Sequence, residues 1–207
     1  KFEQGGWLPI FPCWNSYTAA MIGDHCIAAI GDAYIKGVRN FDIEKAYEAM
    51  RKNAFESPAN KKDYQNGMGR RALQSYLKYG YIPLEDSVPD AFHTKEQVSR
   101  TLEYAYDDFV LSQVAKQLQK NEDYKLLSVR ALNYRNVIDP QTGYAQGRHT
   151  DGTFLKEQNA FQFAKFITEG APCHYTWYVP HDPYGLMEYM GGKEKFETKL
   201  DSLFMVS

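Results

Sequence analysis

Residues 99–120, SRTLEYAYDDFVLSQVAKQLQK, form the longest helical pattern in the chain and indicate its structural class. Apolar side chains recur there at helical spacing and make one broad face. They are Leu102, Ala105, Tyr106, Phe109, Val110, Val114, Ala115 and Leu118. Asp107 and Asp108 interrupt the pattern in mid-helix. They are either an acid pair in a site, or side chains that face solvent or pair with an arginine.

Further helices are predicted on both sides of this stretch, over residues 15–37, 42–54, 70–79, 122–136 and 193–204. Asn15 and Ser16 are N-cap residue types for the first of them, Asp42 caps the second, and Gly80 ends the third. Residues 57–68, 81–93 and 137–154 are rich in turn-forming residues and predict loops. Strand signals are almost absent and no 30–45-residue repeat is visible, so the sequence predicts an all-α fold, either an α/α toroid or an irregular bundle.

The first predicted helix is apolar nearly all round, so we expect it inside the molecule. Asp24 and His25 then become polar side chains on a buried helix, where they need partners. Either they are a satisfied polar pair, or they line a pocket and bind a substrate hydroxyl. The helix at 193–204 is amphipathic, with Phe196 and Phe204 among the residues expected to face inward.

Composition excludes several functional classes. The 207 residues carry 24 Lys+Arg against 26 Asp+Glu, a net charge of −2, which does not favour nucleic acid or an anionic membrane as a partner. No apolar run reaches the roughly 18 residues of a membrane span. The chain opens KFEQGGWLP, without Met or a leader, and we expect it to be cut from a longer polypeptide. Three widely spaced cysteines indicate neither a zinc cluster nor a disulfide framework.

Aromatic residues are 15% of the chain, which favours carbohydrate or another flat-faced ligand. A core simply rich in tyrosine is the alternative. The stretch 168–192, TEGAPCHYTWYVPHDPYGLMEYMGG, sets Glu169 where a loop enters a helix, beside Tyr175, Trp177 and Tyr178. Burial among rings raises an acid's pKa, and rings stack on sugars, so this stretch suits sugar chemistry. A buried, hydrogen-bonded structural glutamate is the other interpretation.

Other chemistries lack their motifs. There is no GxGxxG after a strand, no GxxxxGK[ST], no GxSxG and no HExxH. His174, His181 and Asp182 have the wrong spacing for shared metal ligation, so no metal site is predicted from these residues. Arg148 and Asp151, in the glycine-rich loop, either reach a ligand or only fix their own loop.

Several blocks resemble the catalytic domain of glycoside hydrolase family 92, the calcium-dependent exo-α-mannosidases. In order they are WLPIFPCWNSYTAAMIGDHCIAAIGDAYIKGVRNFD, KYGYIP, SRTLEYAYDDFVLSQVAKQL, RALNYRNVIDPQTGYAQGRHTDGTF and EGAPCHYTWYVPHDPYGLMEYMGG. The resemblance covers nearly the whole chain. It implies that residues 1–207 are the N-terminal portion, about half, of an (α/α)6 toroid, with a preceding β-sandwich domain and the rest of the toroid outside this chain.

The resemblance also implies a mechanism and site residues. The reaction would be inverting hydrolysis of terminal α-linked mannose in mannans or N-glycans, with α-1,2 linkages expected. Glu169 matches the family's general acid, while the general base and the calcium ligands would follow Ser207. Asp24, Trp14 and His25 match the family's early block and are candidates for holding the terminal mannose. Trp177 is expected to shape the pocket.

Pro172, Cys173 and His174 depart from the family pattern, which carries Trp and Gln at the last two positions. This change is expected to reshape the sugar pocket or its rim. Without its water-activating partner the chain alone should be inactive, and helix faces meant for missing helices should be exposed until another chain or the rest of the polypeptide covers them. The family implies a secreted, periplasmic or cell-surface location. The rival hypothesis is a non-catalytic carbohydrate-binding or structural remnant.

Overall fold

In residues 1–156 and 159–205, which the computed structural model describes, the chain forms ten α-helices, one 3-10 helix and one short β-hairpin. In chain order they are α1 (Phe2–Gly5), β1 (Pro12–Cys13), β2 (Ser16–Tyr17), α2 (Cys26–Ile35), α3 (Ile43–Phe55), α4 (Lys61–Gln65), α5 (Leu73–Tyr79), α6 (Gln97–Gln117), α7 (Asn121–Arg130), the 3-10 helix (Ala131–Val137), α8 (Pro172–Tyr175), α9 (Pro183–Tyr189) and α10 (Lys193–Met205). The all-α prediction is confirmed.

Helix α6 is the central element, because it contributes to all three apolar clusters of the core. Leu102 packs with Tyr134 and residues 164–167, and Leu111 packs with α2, α3 and α7. Tyr104 packs with α5 and Ile82. The helix predicted at 99–120 is therefore confirmed, with ends shifted by a few residues. Its burial is not limited to one apolar face, since polar residues on its other sides are buried as well.

Helix α2 approaches α6 closely at one glycine. A Cβ added to Gly31 would lie 2.3 Å from Cγ1 of Val110, which is closer than atoms can approach without a shift. The absence of a side chain at this position lets α2 lie directly on α6. The same helix exposes Ile35, so only one of its faces, with Ile27 and Gly31, is buried. The prediction of a helix buried all round is wrong.

The predicted helix over residues 15–37 is also wrong in its first half. Residues 12–17 form the hairpin β1–β2 instead, and α2 begins only at Cys26. Trp14 and Asn15 have φ values of 51° and 61°, and Ala19 and Gly23 are left-handed as well. A right-handed helix cannot pass through such residues. Asp24 therefore lies in a turn before the helix and not on it.

Several local predictions are confirmed. The Asp42 side chain caps α3 by accepting from the N–H of Lys45 at 3.0 Å, and Gly80 ends α5 with a φ of 73°. The stretch 122–136 divides into α7 and the 3-10 helix. The loop at 57–68 contains the short helix α4. Phe204 was expected to face inward but is 79% exposed, because α10 packs on the molecule only loosely.

Apolar side chains remain exposed along α7 and the start of the 3-10 helix. Leu126, Val129 and Leu132 are 50%, 68% and 40% exposed and follow one another at intervals of three residues. Such a row on a helix normally packs against another element. No helix in the described part of the chain is long and apolar enough to span a lipid bilayer.

A network of buried charges ties α5, α6 and α7 together. Asp108 of α6 accepts hydrogen bonds from Arg70 at 2.7 Å and from Arg130 at 2.8 and 3.0 Å. The Tyr76 hydroxyl donates to the same carboxylate at 3.0 Å. Asp108 and Arg70 are both 0% exposed. Of the alternatives for Asp108, pairing with arginine is the one observed.

Asp108→Asn in the full-length protein should lower the free energy of unfolding by about 3–5 kcal/mol, because it leaves two buried arginines without their shared anion. Chemical denaturation followed by far-UV circular dichroism measures this loss. Glu122→Gln, an exposed acid on α7 that pairs with Lys125, is the control and should change little. A loss for Asp108→Asn below about 1 kcal/mol, the range of exposed ion pairs, would contradict the role of this network.

Candidate active site

Three polar residues form a stripe along one side of α6. Ser99, Glu103 and Asp107 are four residues apart, so their side chains lie above one another on the same face of the helix. They are 0%, 6% and 0% exposed. Buried polar groups of this kind need hydrogen-bond partners. Two other segments of the chain provide them.

The segment that carries Glu169 contacts Ser99 and Glu103, the two N-terminal residues of this stripe. The backbone N–H of Thr168 donates to Oγ of Ser99 at 2.9 Å, and the Tyr175 hydroxyl donates to Oε1 of Glu103 at 3.1 Å. Glu169 itself has a φ of 51°, and its side chain is exposed. Thr168, at 4% exposure, is the buried residue of this turn. The expectation that Glu169 is buried among rings is therefore wrong for this chain, because the left-handed turn directs burial to its neighbour.

The segment that carries Asp24 contacts Asp107, the C-terminal residue of the stripe. The Asp24 backbone N–H donates to Oδ2 of Asp107 at 2.8 Å. Its carboxylate accepts from Asn53 at 3.0 Å and from Nε of Arg70 at 2.9 Å. The residue is 0% exposed, and burial raises the pKa of its carboxyl to about 7, although Arg70 acts in the opposite direction. In this arrangement both carboxylate oxygens bind protein groups beneath the surface.

His25 lies between two carboxylates of the stripe. Its Nδ1 is 3.1 Å from Oδ1 of Asp107, and its Nε2 is 3.3 Å from Oε2 of Glu103. The second contact is a charge pair and not a well-aligned hydrogen bond. Interactions with Asp107 and then Glu103 raise the pKa of His25 to about 10, against the opposing effect of partial burial. The imidazolium, whose side chain is 45% exposed, is therefore charged at neutral pH.

Aromatic rings surround the exposed part of His25. The His25 ring is 6.5 Å from the ring of Tyr106 and 6.3 Å from that of Tyr178, and these two tyrosines are 6.0 Å apart. Tyr175 is 6.2 Å from Tyr178 and continues the group toward Glu103. These rings are partly exposed. They offer flat faces of the kind on which sugar rings stack.

The two tryptophan candidates lie apart from this group. Trp14 is 96% exposed at the turn between β1 and β2. Trp177 packs edge-on against Phe196 of α10, with ring centroids 5.3 Å apart. Among the described ring contacts and hydrogen bonds, neither tryptophan joins the stripe on α6. Their proposed role in shaping a pocket stays a prediction.

The departures from the family pattern lie beside the Glu169 turn. Cys173 is buried, and burial raises the pKa of its thiol. His174 is exposed, and its Nδ1 accepts from the backbone N–H of Ala171 at 3.1 Å. A Cβ added to Gly170 would lie 3.0 Å from this Nδ1, so the imidazole rests directly against the residue that follows Glu169.

In residues 1–156 and 159–205 no group of three or more His, Cys, Asp or Glu side chains is arranged to hold a metal ion. His181 binds the backbone carbonyl of Ala131 at 2.9 Å, while Asp182 caps α9. Arg148 donates to the carbonyl of Gly152 at 2.8 Å, and the Asp151 carboxylate accepts from Thr153. Of the two alternatives for the Arg148–Asp151 loop, fixing its own conformation is the one these contacts support.

Sequence reasoning singled out Asp24, His25 and Asp107 but missed Glu103 and Ser99. The signal was present, because residues 99, 103 and 107 repeat at helical spacing. It was hidden because the apolar face of the same helix dominates the pattern. Arg70, which joins Asp24 to Asp108, was placed only at the start of a short helix.

Comparison with known proteins places this geometry in a family. The model of the glycosyl hydrolase family 92 catalytic domain matches residues 1–207. The chain is 28% identical over 229 residues to a protein of Arthroderma benhamiae described as an uncharacterized secreted glycosidase, covering 98% of this chain and 29% of that protein.

Two solved structures from Bacteroides thetaiotaomicron are similar in fold and sequence. A family GH92 α-mannosidase, also solved in complex with mannoimidazole, superposes with a TM-score of 0.82 at 38% identity, over 97% of this chain and 24% of its own in the uncomplexed form. A family GH92 inverting mannosidase superposes with a TM-score of 0.85 at 32% identity, over 97% of this chain and 26% of its own.

The chain thus spans about a quarter of the length of the relatives it matches. Its helical fold corresponds to part of their (α/α)6 toroid, so the predicted fold class is confirmed. The family model covers the whole chain from residue 1 to residue 207, and the chain belongs to glycosyl hydrolase family 92.

Proposed function

We propose that the full-length protein is an exo-acting α-mannosidase, which hydrolyses terminal α-linked mannose in mannans or N-glycans. Family membership supports glycosidase chemistry. Of the similar Bacteroides proteins, one is described as an α-mannosidase and was solved in complex with mannoimidazole, and the other is described as an inverting mannosidase. The location would be outside the cytoplasm, as for the secreted relative.

One observation in this chain carries the proposal. The segment of Glu169 and the segment of Asp24 and His25 are far apart in sequence, yet both bind the same polar stripe of α6. Ser99 and Asp107 are separated by about 12 Å along the helix axis. A monosaccharide and its leaving group can span a site of this size, and partly exposed tyrosines border it.

Within this site, Glu169 is our candidate for the general acid that protonates the leaving oxygen. Inverting hydrolysis also needs a second carboxylate, roughly 6.5–9.5 Å from the first, to activate a water molecule. We propose that this base comes from polypeptide outside the chain. The same polypeptide would cover Glu169, and desolvation would then raise the pKa of the acid as protonation of a leaving group requires.

The other site residues would shape the mannose site. We propose that His25 forms part of its floor and that Asp24, whose carboxylate binds Asn53 and Arg70, supports this floor from beneath. Trp14 and Trp177 would lie at its borders. The expected preference for α-1,2 linkages depends on the leaving-group side, where His174 rests against Gly170. We further propose that the exposed apolar row of α7 is covered by the remainder of the polypeptide.

Calcium dependence is proposed from the family alone. The described residues do not offer the carboxylate cluster that a calcium site typically uses, since no group of three or more His, Cys, Asp or Glu side chains among them is arranged to hold a metal ion. The ion would therefore be held outside this chain, and none of the roles proposed above for Glu169, Asp24 or His25 depends on it.

A second hypothesis is a carbohydrate-binding or structural remnant without catalysis. The exposed Glu169 and the Cys173–His174 departure favour it over a fully formed active site in this chain. Calorimetric titration of the full-length protein with mannobiose separates the two. Turnover heat favours the enzyme, whereas binding heat without mannose release favours the remnant.

Glu169→Gln in the full-length protein should lower kcat on mannobiose by about two to four orders of magnitude, the usual contribution of general acid catalysis. An aryl mannoside with an acidic leaving group needs no protonation and should be hydrolysed at nearly the wild-type rate. Reducing-sugar release and absorbance measure the two reactions. Glu188→Gln, an exposed acid on α9, is the matched control. Full activity of Glu169→Gln on mannobiose would eliminate this residue as the acid.

Removal of divalent cations should abolish mannobiose hydrolysis by the full-length protein, and added Ca²⁺ should restore it. Activity that survives exhaustive chelation would refute the calcium proposal without affecting the assignment of Glu169.

A further inference from the structure

We propose that Glu103 is a positioning residue, which holds the segment of the proton donor Glu169 in register with the segment of Asp24 and His25. The inference rests on the proposed mannosidase function and deepens it. Glu103 belongs to the TLEYAYDD block and takes no part in the proposed proton transfer or sugar binding.

The contacts of Glu103 connect the two segments through one carboxylate. Oε1 accepts the hydrogen bond from the Tyr175 hydroxyl at 3.1 Å, and Oε2 is 3.3 Å from Nε2 of His25. Tyr175 ends α8, the short helix that directly follows the Glu169 turn. A residue at 6% exposure on the central helix cannot shift easily, so it fixes the position of both partners.

The space around this carboxylate is filled. A Cβ added to Gly23 would lie 2.4 Å from Oε2 of Glu103 and 2.7 Å from Nε2 of His25. Gly23 also has a φ of 80°, which residues other than glycine adopt at a cost. The turn before α2 therefore lies directly against the Glu103–His25 pair, and its close packing leaves little freedom for either side chain.

His25 lies beside two negative charges. Glu103 and Asp107 face it from α6. Tyr106 of α6 and Tyr178, from the segment after α8, pack against its ring, and its sequence neighbours are Asp24 and Cys26. His25 therefore directs both ring nitrogens toward protein carboxylates and presents a ring face between Tyr106 and Tyr178.

The alternative is that Glu103 stabilises the fold without affecting catalysis. The two roles differ in what a conservative change does. Glu103→Gln keeps an acceptor for Tyr175 but removes one of the two negative charges beside His25. Tyr175→Phe removes the hydroxyl that links Glu103 to the Glu169 segment and leaves the His25 pair intact. A stabilising role alone would change unfolding and not catalysis at temperatures where the protein is folded.

The kinetic test uses both variants in the full-length protein, with Glu122→Gln as the matched control. We expect Tyr175→Phe and Glu103→Gln to lower kcat on mannobiose by about 10- to 100-fold, the scale for slight misplacement of a reacting group, with little change in KM. The loss should be smaller on an aryl mannoside with an acidic leaving group, because that substrate does not need a placed proton donor. Equal losses on both substrates, or wild-type kcat in both variants, would overturn the assignment.

The titration of His25 gives a readout independent of activity. In protein labelled with ¹³C-histidine, and with His25→Gln used to assign the signal, the pKa of His25 should fall by about one to three units in Glu103→Gln. Glu122→Gln should leave it unchanged. An unchanged pKa in Glu103→Gln would contradict the pair. Wild-type protein without mannosidase activity would instead contradict the proposed function, so the two failures are distinguishable.

Discussion

The structure depends on one constraint: the central helix α6 carries charged residues into the interior, and each must find a partner there. Asp108 binds Arg70 and Arg130 on one side of the helix. On another side Ser99, Glu103 and Asp107 bind backbone and side-chain groups of two distant segments. Because an unpartnered buried charge is costly, these contacts determine where the segments lie. The candidate site is thus a consequence of the need of the buried polar groups of α6 for hydrogen-bond partners.

Much of the fold could be predicted from local patterns. The long apolar period at 99–120, the cap at Asp42 and the glycine after α5 each act within a few residues, so sequence reasoning located them. The prediction of the first helix failed because Asn15, Ala19 and Gly23 adopt left-handed conformations. Asn and Gly often do so, but Ala19 carries no such signal in its residue type. Similarly, the left-handed conformation of Glu169 is not indicated by its residue type.

The site was predicted in part, and the misses have a common physical cause. Asp24 and His25 were recognised as polar residues needing partners, but their partners are separated from them by 29 to 83 positions in sequence. Glu103 and Arg70 cannot be recognised as site residues from the sequence, because their partners meet them only when α6 packs in the folded chain. The family resemblance supplied Glu169, which its surroundings in this chain do not single out. On the proposed function, the chain contains one side of the sugar site, with the proposed acid exposed to solvent.

A structure of the full-length protein with mannoimidazole bound would test the central claim most directly, which is that the stripe of α6 brings Glu169 and the Asp24–His25 segment to one sugar site. The account predicts the ligand ring beside His25, Tyr106 and Tyr178, with the Glu169 carboxylate covered and within hydrogen-bond distance of the ligand. A ligand bound away from the stripe, with Glu169 still facing bulk solvent, would contradict it.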